Sequence, residues 1–326
     1  MGKPKVFVTR KILNEGTTLI MQECDADIWQ DELPPSQIEI LKRVKGMDGI
    51  LCLLTDKIDR QVLESAGTNL KVISNHAVGF DNIDIAAATE YGIPVGNTPG
   101  ILTETTADFA FTLLLSCARR VTEADKYVRE GNWKTWSPDQ LLGSDVSGST
   151  LGIIGFGRIG QAMARRAAGF DMKVLFYDPN TVDDNTCSSC KQVDLDTLLK
   201  TSDFVTIHTP LNEETMFMIN ADSFKKMKPS SILINTARGP IVDQDALYHA
   251  LKNKQIMAAA LDVTYPEPIP PGHQLMELDN LLISPHIASS SYATRSKMSI
   301  MAAENLIAGI NGKRLPHCVN PEVYKS

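Results

Sequence analysis

The sequence predicts an α/β protein built from two doubly wound parallel sheets, and three observations support this prediction. Short apolar runs alternate with helical patterns along the chain, which is typical of parallel sheets covered by helices. The length of 326 residues is sufficient for two domains, since one domain averages about 150 residues. The segment TLGIIGFGRIG at 150–160 joins an apolar run to a helical one through three glycines.

Composition and charge exclude several classes of function. The chain is 43% hydrophobic and 22% charged, as in ordinary globular proteins. The net charge of −7 argues against nucleic acid or an anionic membrane as partner, because both require a basic face. No apolar run reaches the roughly 18 residues of a membrane span, and the first residues lack a signal-peptide pattern. We therefore expect a cytoplasmic protein.

The six cysteines are scattered through the chain, which predicts reduced thiols and no disulfide framework. Cys187 and Cys190 have the spacing of half a zinc site, but no second pair accompanies them. We interpret this segment as a surface turn and predict no metal site.

The first hundred residues alternate between strand and helix patterns and predict one small doubly wound domain. The second predicted helix begins at Asp59, a residue type that caps helices well. The predicted strands begin at Lys5 and lie near 28–29, 49–54, 72–74 and 92–95; the predicted helices span 36–44 and 59–66.

The loop at 74–82 follows the fourth strand, and open α/β sheets bind ligands at the carboxyl ends of their strands. Gly79 would let backbone amides approach an anion closely. A simple glycine turn is the alternative, and His76 is equally consistent with a structural histidine.

A long helix is predicted from Thr103 to about Glu130, as the element that enters the second domain. The polar segment that follows carries Trp133 and Trp136, an aromatic pair suited to covering a partner subunit.

The three glycines of TLGIIGFGRIG suit a dinucleotide. Gly155 permits a tight turn, Gly157 lets the backbone approach a pyrophosphate, and Gly160 allows close packing of the following helix. The next strand, 172–177, ends at Asp178, about 20 residues after the first glycine, where a carboxylate accepts hydrogen bonds from the ribose hydroxyls of NAD. A 2′-phosphate would be repelled there, so NAD(H) is favoured over NADP(H).

Further strands at 203–208, 231–235, 257–263 and 281–283 bring the second sheet to six, as in a dinucleotide-binding Rossmann fold over about 145–288. The helical stretch at about 292–312 is expected to return to the first domain.

Three loops of the second sheet deliver Arg238, Glu267 and His286 at strand ends. Reduction of a 2-keto acid requires a cation for the carboxylate and carbonyl oxygen, a proton donor, and a group that keeps the donor protonated. Arg238 suits the first need and His286 the second, while Glu267 favours the imidazolium and fixes its ring. Each residue alone has a structural alternative; the three strand ends together favour the joint interpretation.

Several motifs resemble, in order and spacing, those of the D-isomer-specific 2-hydroxyacid dehydrogenases: TPGILTETTADFAFTLLL, LGIIGFGRIG, NTARG, ALDVTYPEP and SPHIAS. NHAVGFDNID, GNWKTWSPDQLLG and DVTYPEPIPPGH are most similar to glyoxylate/hydroxypyruvate reductases. The resemblance implies reduction of glyoxylate or hydroxypyruvate to the D-2-hydroxy acid by hydride transfer from NAD(P)H. It also implies a flavodoxin-like substrate-binding domain (1–102 plus 290–326) and a Rossmann NAD-binding domain (103–289), with a cleft between them.

The resemblance further assigns roles to individual residues. Arg238 orients the substrate and the Glu267–His286 dyad supplies the proton. The amides of Val78 and Gly79 hold the substrate carboxylate, and a homodimer forms through 103–145. Substrate contacts come from Leu53, Val78, Gly79, Arg238, His286 and the partner subunit's Trp136. The implied cofactor contacts are Thr106, Gly155, Gly157, Arg158, Ile159, Gly160, Asp178, Thr209, Pro210, Thr215, Thr236, Ala237, Arg238, Asp262 and His286.

Three positions depart from the family pattern. Ala288 stands where glycine is frequent and Gln244 where an acid is common, and we expect both to change little. Asp178 stands where many glyoxylate reductases carry arginine, which favours NADH. Two alternatives remain: a D-3-phosphoglycerate dehydrogenase without a regulatory domain, for which we see no extra cations beside Val78, and a non-catalytic NADH-sensing protein similar to corepressors.

Overall fold

The computed structural model describes residues 2–181, 187 and 189–325. They form two compact units: the first joins the residues up to Leu102 to those from Ser290 onward, and the second is Thr103–Ser289. Each unit is built on a parallel sheet, so the predicted fold class of two parallel-sheet α/β domains is confirmed.

The sheet of the first unit has five strands among the described residues, and all pair in parallel. They are β1 (Lys5–Val8), β2 (Asp25–Ile28), β3 (Gly49–Cys52), β4 (Val72–Asn75) and β5 (Val95–Gly96). The order β2-β1-β3-β4-β5 is the flavodoxin-like order. Because successive side chains point to opposite faces, Phe7 joins one apolar cluster while Val6 and Val8 join the other.

Helices cover both faces of this sheet. They include α1 (Asn14–Glu23), α2 (Gln37–Arg43), α3 (Arg60–Ala66) and α4 (Ile85–Glu90). The predicted N-cap is confirmed, since the Asp59 side chain accepts a hydrogen bond from the Val62 amide at the start of α3.

The described part of the second unit contains a seven-stranded parallel sheet in the order β12-β11-β10-β9-β6-β7-β8. This is the Rossmann order with one additional outer strand. The strands are β6 (Thr150–Ile154), β7 (Lys173–Tyr177), β8 (Cys190–Gln192), β9 (Phe204–Ile207), β10 (Ile232–Asn235), β11 (Ala258–Leu261) and β12 (Leu281–Ile283). The prediction of six strands was one too few, because it omitted β8, a short edge strand that begins at Cys190, the last residue of the segment interpreted as a turn.

The single long helix predicted from Thr103 to about Glu130 is divided in the structure. It forms α5 (Thr103–Ala118) and α6 (Val121–Arg129), with Arg120 between them in the left-handed region at φ 52°. The Ala118 carbonyl accepts a hydrogen bond from Ser144 N at 2.8 Å, so it is not available to continue the helix. The other helices of this unit are α7 (Arg158–Ala168), α8 (Leu195–Thr201), α9 (Ala221–Lys226) and α10 (Gln244–Lys252).

The last helix, α11 (Tyr292–Ile310), lies in the first unit. Ser291 caps it by accepting a hydrogen bond from Thr294 N. The helix packs on α1, β3 and β4. Gly309 makes this approach close, because a Cβ at that position would lie 2.5 Å from the Val72 side chain.

The expectation of reduced cysteines was wrong for one pair, because Cys187 and Cys190 form a disulfide. A turn in which Cys190 N donates to Cys187 O brings their Cα atoms to 5.3 Å, within bonding range. Ser188, between them, lies outside the described residues. In the described chain, no cluster of three or more His, Cys, Asp or Glu side chains is arranged to hold a metal ion. None of its helices is both long and apolar enough to cross a membrane.

Candidate active site

The glycine loop between β6 and α7 has the geometry that a dinucleotide requires. Gly155 adopts φ 89°, and a Cβ there would lie 2.7 Å from the backbone of His208 and Thr209. A Cβ on Gly160 would lie 2.2 Å from the Gly155 carbonyl oxygen. Gly157 is the N-cap residue of α7, and the space beside its Cα is open. The helix therefore begins with accessible N–H groups and room for an anion in front of them.

Asp178 follows β7 directly, and backbone amides hold its carboxylate. One oxygen accepts from Phe156 N at 2.9 Å, within the glycine loop, and the other accepts from Asn180 N at 3.0 Å. Gln192 in β8 donates to the carbonyls of Asp178 and Asn180. The turn that carries the acid is thus fixed from both sides, and the negative charge lies beside the glycine loop. Arg158, the other residue relevant to a phosphate, is exposed at the first position of α7.

Two further loops at the carboxyl edge of this sheet carry predicted cofactor contacts. In the loop after β9, the Thr215 hydroxyl donates to Pro210 O at 2.7 Å and accepts from Asn212 N at 2.8 Å, so it holds the turn that carries Thr209 and Pro210. After β10, the Thr236 Oγ1 atom is buried and has no hydrogen-bond partner among the described residues. A buried hydroxyl without a partner is costly, which indicates that a bound molecule satisfies it.

Arg238 lies in the loop that leaves β10, and Asn235 at the end of that strand shapes the loop. Asn235 Nδ2 donates to Arg238 O at 2.9 Å, and Asn235 Oδ1 accepts from Ala237 N at 3.0 Å. The guanidinium itself donates to Ala237 O at 2.8 Å. Gly239 comes next, and it lies so close to Thr264 that a Cβ there would be 2.0 Å from the Thr264 carbonyl oxygen. The loop of Arg238 therefore lies directly against the loop of Glu267.

Glu267 and His286 are in direct contact through their side chains. Glu267 Oε1 and His286 Nδ1 are 2.5 Å apart, and both side chains are partly exposed. With Nδ1 directed at the carboxylate, Nε2 is the ring nitrogen left for a substrate. His286 adopts φ 54°, a conformation that non-glycine residues rarely take and that the surrounding bonds must hold.

Asp262 supplies much of that restraint. It is 1% exposed, and its two carboxylate oxygens accept from Ser284 Oγ, Ile287 N and Ala288 N at 2.6, 2.9 and 2.7 Å. The Asp262 carbonyl also accepts from His286 N at 2.8 Å. The acid that was predicted as a cofactor contact therefore also fixes the backbone on both sides of His286.

Gln244, one of the departures from the family pattern, holds the loop of Glu267. Its side-chain amide donates to Tyr265 O and accepts from Tyr265 N at 3.1 Å, and the side chain is buried. A glutamine side chain can bond both the N–H and the C=O of Tyr265, whereas a carboxylate could only accept from the N–H. Sequence analysis did not identify this role, because the two residues are far apart in the chain.

In the first unit, the loops after β3 and β4 carry the residues predicted to bind the substrate. Asp56 is 2% exposed and accepts from Leu53 N at 2.7 Å and Thr9 Oγ1 at 2.5 Å. Asn82 donates to Leu53 O at 3.0 Å, linking the two loops. Neither residue was identified from the sequence.

Arg10, which follows β1, was also missed as a cation at this edge of the sheet. Its guanidinium donates to Glu32 O at 3.0 Å and to Thr55 Oγ1 at 3.4 Å. Its Nε is buried with no hydrogen-bond partner in the part of the chain that the structure describes.

His76 and His208 are held neutral. His76 is 6% exposed, its Nε2 lies 3.0 Å from Ser299 Oγ, and burial lowers its pKa to about 4. Nearby Arg295 adds to this shift. His208 contacts Thr206 Oγ1 at 2.8 Å, and burial lowers its pKa to about 3. Neither imidazole is suited to proton transfer near neutral pH.

Two other predicted contacts belong to the second unit. Thr106 is buried in the first turn of α5. Trp136 is 77% exposed and Trp133 is 61% exposed, so neither contributes to the core of its own unit.

Comparison with known proteins agrees with this geometry. The model of the D-isomer specific 2-hydroxyacid dehydrogenase NAD-binding domain matches residues 111–288. A glyoxylate reductase of Korarchaeum cryptofilum is 53% identical over 325 residues, covering 99% of this chain and 98% of the relative. The crystal structure of the TT0316 protein from Thermus thermophilus superposes with a TM-score of 0.90 at 42% identity, covering 97% of this chain and 99% of that one.

An NADPH-dependent glyoxylate/hydroxypyruvate reductase from Sinorhizobium meliloti, solved with NADP and malonate, is also similar. Its TM-score is 0.86 at 29% identity, and the match covers 98% of this chain and 97% of that one. The similarity thus extends over both units. The chain belongs to the D-isomer-specific 2-hydroxyacid dehydrogenase family, and residues 111–288 match its NAD-binding domain.

Proposed function

We propose that this enzyme reduces a small 2-keto acid, glyoxylate or hydroxypyruvate, to the D-2-hydroxy acid with NAD(P)H as hydride donor. The observation that carries the proposal is the 2.5 Å contact between Glu267 and His286 at the carboxyl edge of a Rossmann sheet. Relatives that are named glyoxylate reductase or glyoxylate/hydroxypyruvate reductase support the substrate class.

In the proposed reaction, the chain supplies a proton and orients the substrate. The reduced nicotinamide, when bound, supplies the hydride to the carbonyl carbon. His286 donates a proton from Nε2 to the carbonyl oxygen as negative charge develops there. Glu267 holds the ring through Nδ1 and fixes its orientation, while Arg238 binds the substrate's carboxylate and carbonyl oxygens through its planar fork.

The groups around the glycine loop fit the dinucleotide. The open space at Gly157, the free start of α7 and the unpartnered Thr236 hydroxyl each suit one part of it. The proposed cofactor contacts are those of the family: Thr106, Gly155, Gly157, Arg158, Ile159, Gly160, Asp178, Thr209, Pro210, Thr215, Thr236, Ala237, Arg238, Asp262 and His286.

NADH is the favoured coenzyme. The Asp178 carboxylate, fixed by two backbone amides, retains lone pairs for the ribose hydroxyls and would repel a 2′-phosphate. NADPH remains the alternative, because the Sinorhizobium relative uses it and Arg158 is exposed beside the loop.

On the substrate side, we propose that the amides of Val78 and Gly79 bind the carboxylate and that Leu53 contacts the substrate. The exposed Trp136 would reach the substrate pocket of a partner subunit in a homodimer formed through 103–145. Exposed Trp133 and Leu142 in the same segment support this dimer. The absence of nucleic-acid partners and a cytoplasmic location stay predictions that rest on the sequence and its net charge of −7.

The two alternatives are less well supported. A phosphorylated hydroxy acid would require extra cations near the substrate loops, and Arg10, which contacts Thr55 in the loop after β3, is the candidate in the first unit. The relatives named above do not favour it. A purely NADH-sensing protein similar to corepressors keeps a similar triad, so turnover itself is the observation that distinguishes it from the enzyme.

The decisive experiment follows NADH absorbance after addition of glyoxylate, hydroxypyruvate, pyruvate or 3-phosphohydroxypyruvate, repeated with NADPH. Rapid oxidation with either of the first two supports the proposal. Preference for 3-phosphohydroxypyruvate would instead support the first alternative, a D-3-phosphoglycerate dehydrogenase. Tight NADH binding with no turnover on any of the four would favour the sensing protein.

A further inference from the structure

The loop after β4 carries three consecutive carbonyl groups that are each held by a donor from elsewhere in the first unit. Ala77 O accepts from Thr98 N at 2.8 Å, Val78 O from Asn97 Nδ2 at 2.8 Å, and Gly79 O from Asn75 Nδ2 at 2.9 Å.

The amides of the same three peptide units have no such partners. The N–H groups of Val78, Gly79 and Phe80 donate to no atom in the described part of the chain. In a trans peptide the N–H points away from the C=O of the same unit. Holding each carbonyl therefore directs the next amide away from the supporting donor, and successive amides of this kind form an anion site.

We propose that Asn97 and Asn75 are positioning residues that orient the amides of Gly79 and Phe80 toward the substrate carboxylate, with Phe80 N–H as a further donor. This inference rests on the proposed function for the identity of the anion. The two carboxamides do not touch the substrate; they act through the backbone that does.

Both asparagines are themselves anchored. The Asn97 backbone accepts from Asn305 Nδ2 at 2.9 Å and donates to His317 O at 3.2 Å. Asn75 is completely buried, and it also donates to Asn82 Oδ1 at 3.1 Å. Asn82 in turn holds the neighbouring loop through Leu53 O and Asp56 O, both at 3.0 Å. The frame around the three amides is thus continuous.

The chemistry of the frame suits an anion. A carboxamide orients a carbonyl without adding a charge, so Asn75 and Asn97 direct amide dipoles at a carboxylate and place no negative charge near it. Aspartate at either position would keep the shape, lose the donor and place a negative charge behind the loop.

The deciding variant is Asn97→Leu, which keeps the approximate shape and removes the donor, with Asn97→Asp as its companion. Once Val78 O is no longer held, the Gly79 amide is misaligned and its hydrogen bond to the charged carboxylate is weakened, which should raise the KM for glyoxylate about tenfold or more. We expect kcat to change less than about threefold, because the carboxylate is bound equally less tightly in the ground state and in the transition state. NADH affinity should stay unchanged, because the variant alters only the carboxylate site.

The matched control is Asn280→Leu. Asn280 is also half-buried and donates to two backbone carbonyls, Leu251 O and Met257 O, but it belongs to the second unit. A general loss of stability would appear in thermal unfolding of both variants, whereas the KM effect should appear only at Asn97. An unchanged KM in Asn97→Leu, or equal changes in kcat and NADH affinity in both variants, would overturn the inference.

A second measurement separates this inference from the proposed function. Oxamate, a carboxylate probe that needs no turnover, is titrated calorimetrically into the enzyme saturated with NADH. If the wild-type enzyme does not reduce glyoxylate but Asn97→Leu weakens oxamate about tenfold, the positioning role stands and the proposed substrate is wrong. If glyoxylate is reduced and oxamate affinity is unaffected by Asn97→Leu, the proposed function stands and the positioning role is wrong.

Discussion

The carboxyl edges of the two sheets are built from different chemical groups. At the edge of the first unit, Asn75, Asn82 and Asn97 arrange neutral backbone amides, and His76 is kept uncharged. At the edge of the second unit, a carboxyl group and an imidazole, those of Glu267 and His286, are in hydrogen-bond contact. The same kind of strand end thus serves two tasks: fixed dipoles suit a permanent anion, and ionisable groups suit proton transfer.

The difference has a practical consequence. Carboxamides and backbone amides do not titrate. The contribution of the first unit to substrate affinity should therefore depend only weakly on pH above about pH 5. The pH dependence of turnover should come from the second unit. The following predictions test this division, beginning with the largest expected effect.

The largest effect is expected from His286→Asn. Removing the proton donor should lower kcat by about 10² or more, the usual size of general acid catalysis. NADH affinity should be retained, and fluorescence titration measures it. His249→Asn, which changes an exposed histidine on α10, is the control. Wild-type turnover in His286→Asn would remove this residue as the donor and break the division between the two edges.

Asp178→Ser should change the coenzyme preference and leave unchanged the groups at both sheet edges that are proposed to bind or protonate the substrate. Losing the carboxylate removes a like-charge repulsion, so the ratio of kcat/KM for NADPH to that for NADH should rise about tenfold or more. Asp145→Ser, at an exposed aspartate of the same unit, serves as control. A wild-type enzyme that already prefers NADPH would contradict the NADH assignment.

Gln244→Leu should lower kcat by about three- to tenfold, the cost of losing the bonds that hold Tyr265 and, with it, the loop of Glu267. Gln244→Glu should be intermediate, because its carboxylate accepts from Tyr265 N but cannot donate to Tyr265 O. Exposed Gln255→Leu is the control. An unchanged kcat in Gln244→Leu would mean that Glu267 is positioned by other contacts.

The smallest effect concerns stability at mildly acidic pH. The folded pKa of His76, about 4, lies below its ordinary value of 6.5, so the unfolded state binds a proton that the folded state does not between these values. Stability therefore falls as pH decreases through 6.5 and becomes level below about pH 4.

Between pH 7 and pH 6 this residue should cost about 0.7 kcal/mol of unfolding free energy. Urea unfolding of the wild-type enzyme and of His76→Gln at both pH values measures it. The same slope in both proteins would show that other groups account for the loss and that His76 does not titrate as described.

Sequence analysis could predict the alternation of elements, and it could propose candidate site residues, because both depend on local patterns. The glycine loop, Asp178, Arg238, Glu267 and His286 all lie in loops that follow strands, where the fold class places ligands. The helix break at Arg120 could not be predicted, because it depends on Ser144 taking the Ala118 carbonyl. That contact joins two residues that are distant in the chain, so the hydrophobic periodicity of the helical segment does not reveal it.

The supporting residues were missed for a related reason. Gln244 and Tyr265 meet through tertiary contact, as do Asn97 and Val78, and a carboxamide in a loop has no pattern that distinguishes it from a turn residue. Asp262 was predicted as a cofactor contact from resemblance alone. Its hydrogen bonds to both sides of His286 become visible only in three dimensions.

The placement of α11 has a consequence for how the chain is made. This helix is hydrogen-bonded to residues that come much earlier in the chain. Asn305 donates to Asn97 O, and Ala302 O accepts from Ser74. Ser299 also contacts the ring of His76. A ribosome must therefore synthesise the whole second unit before the first can close its core. We expect the inserted Rossmann unit to fold first during synthesis, and the N-terminal strands to wait, with their apolar face open to chaperones, until the final helix emerges.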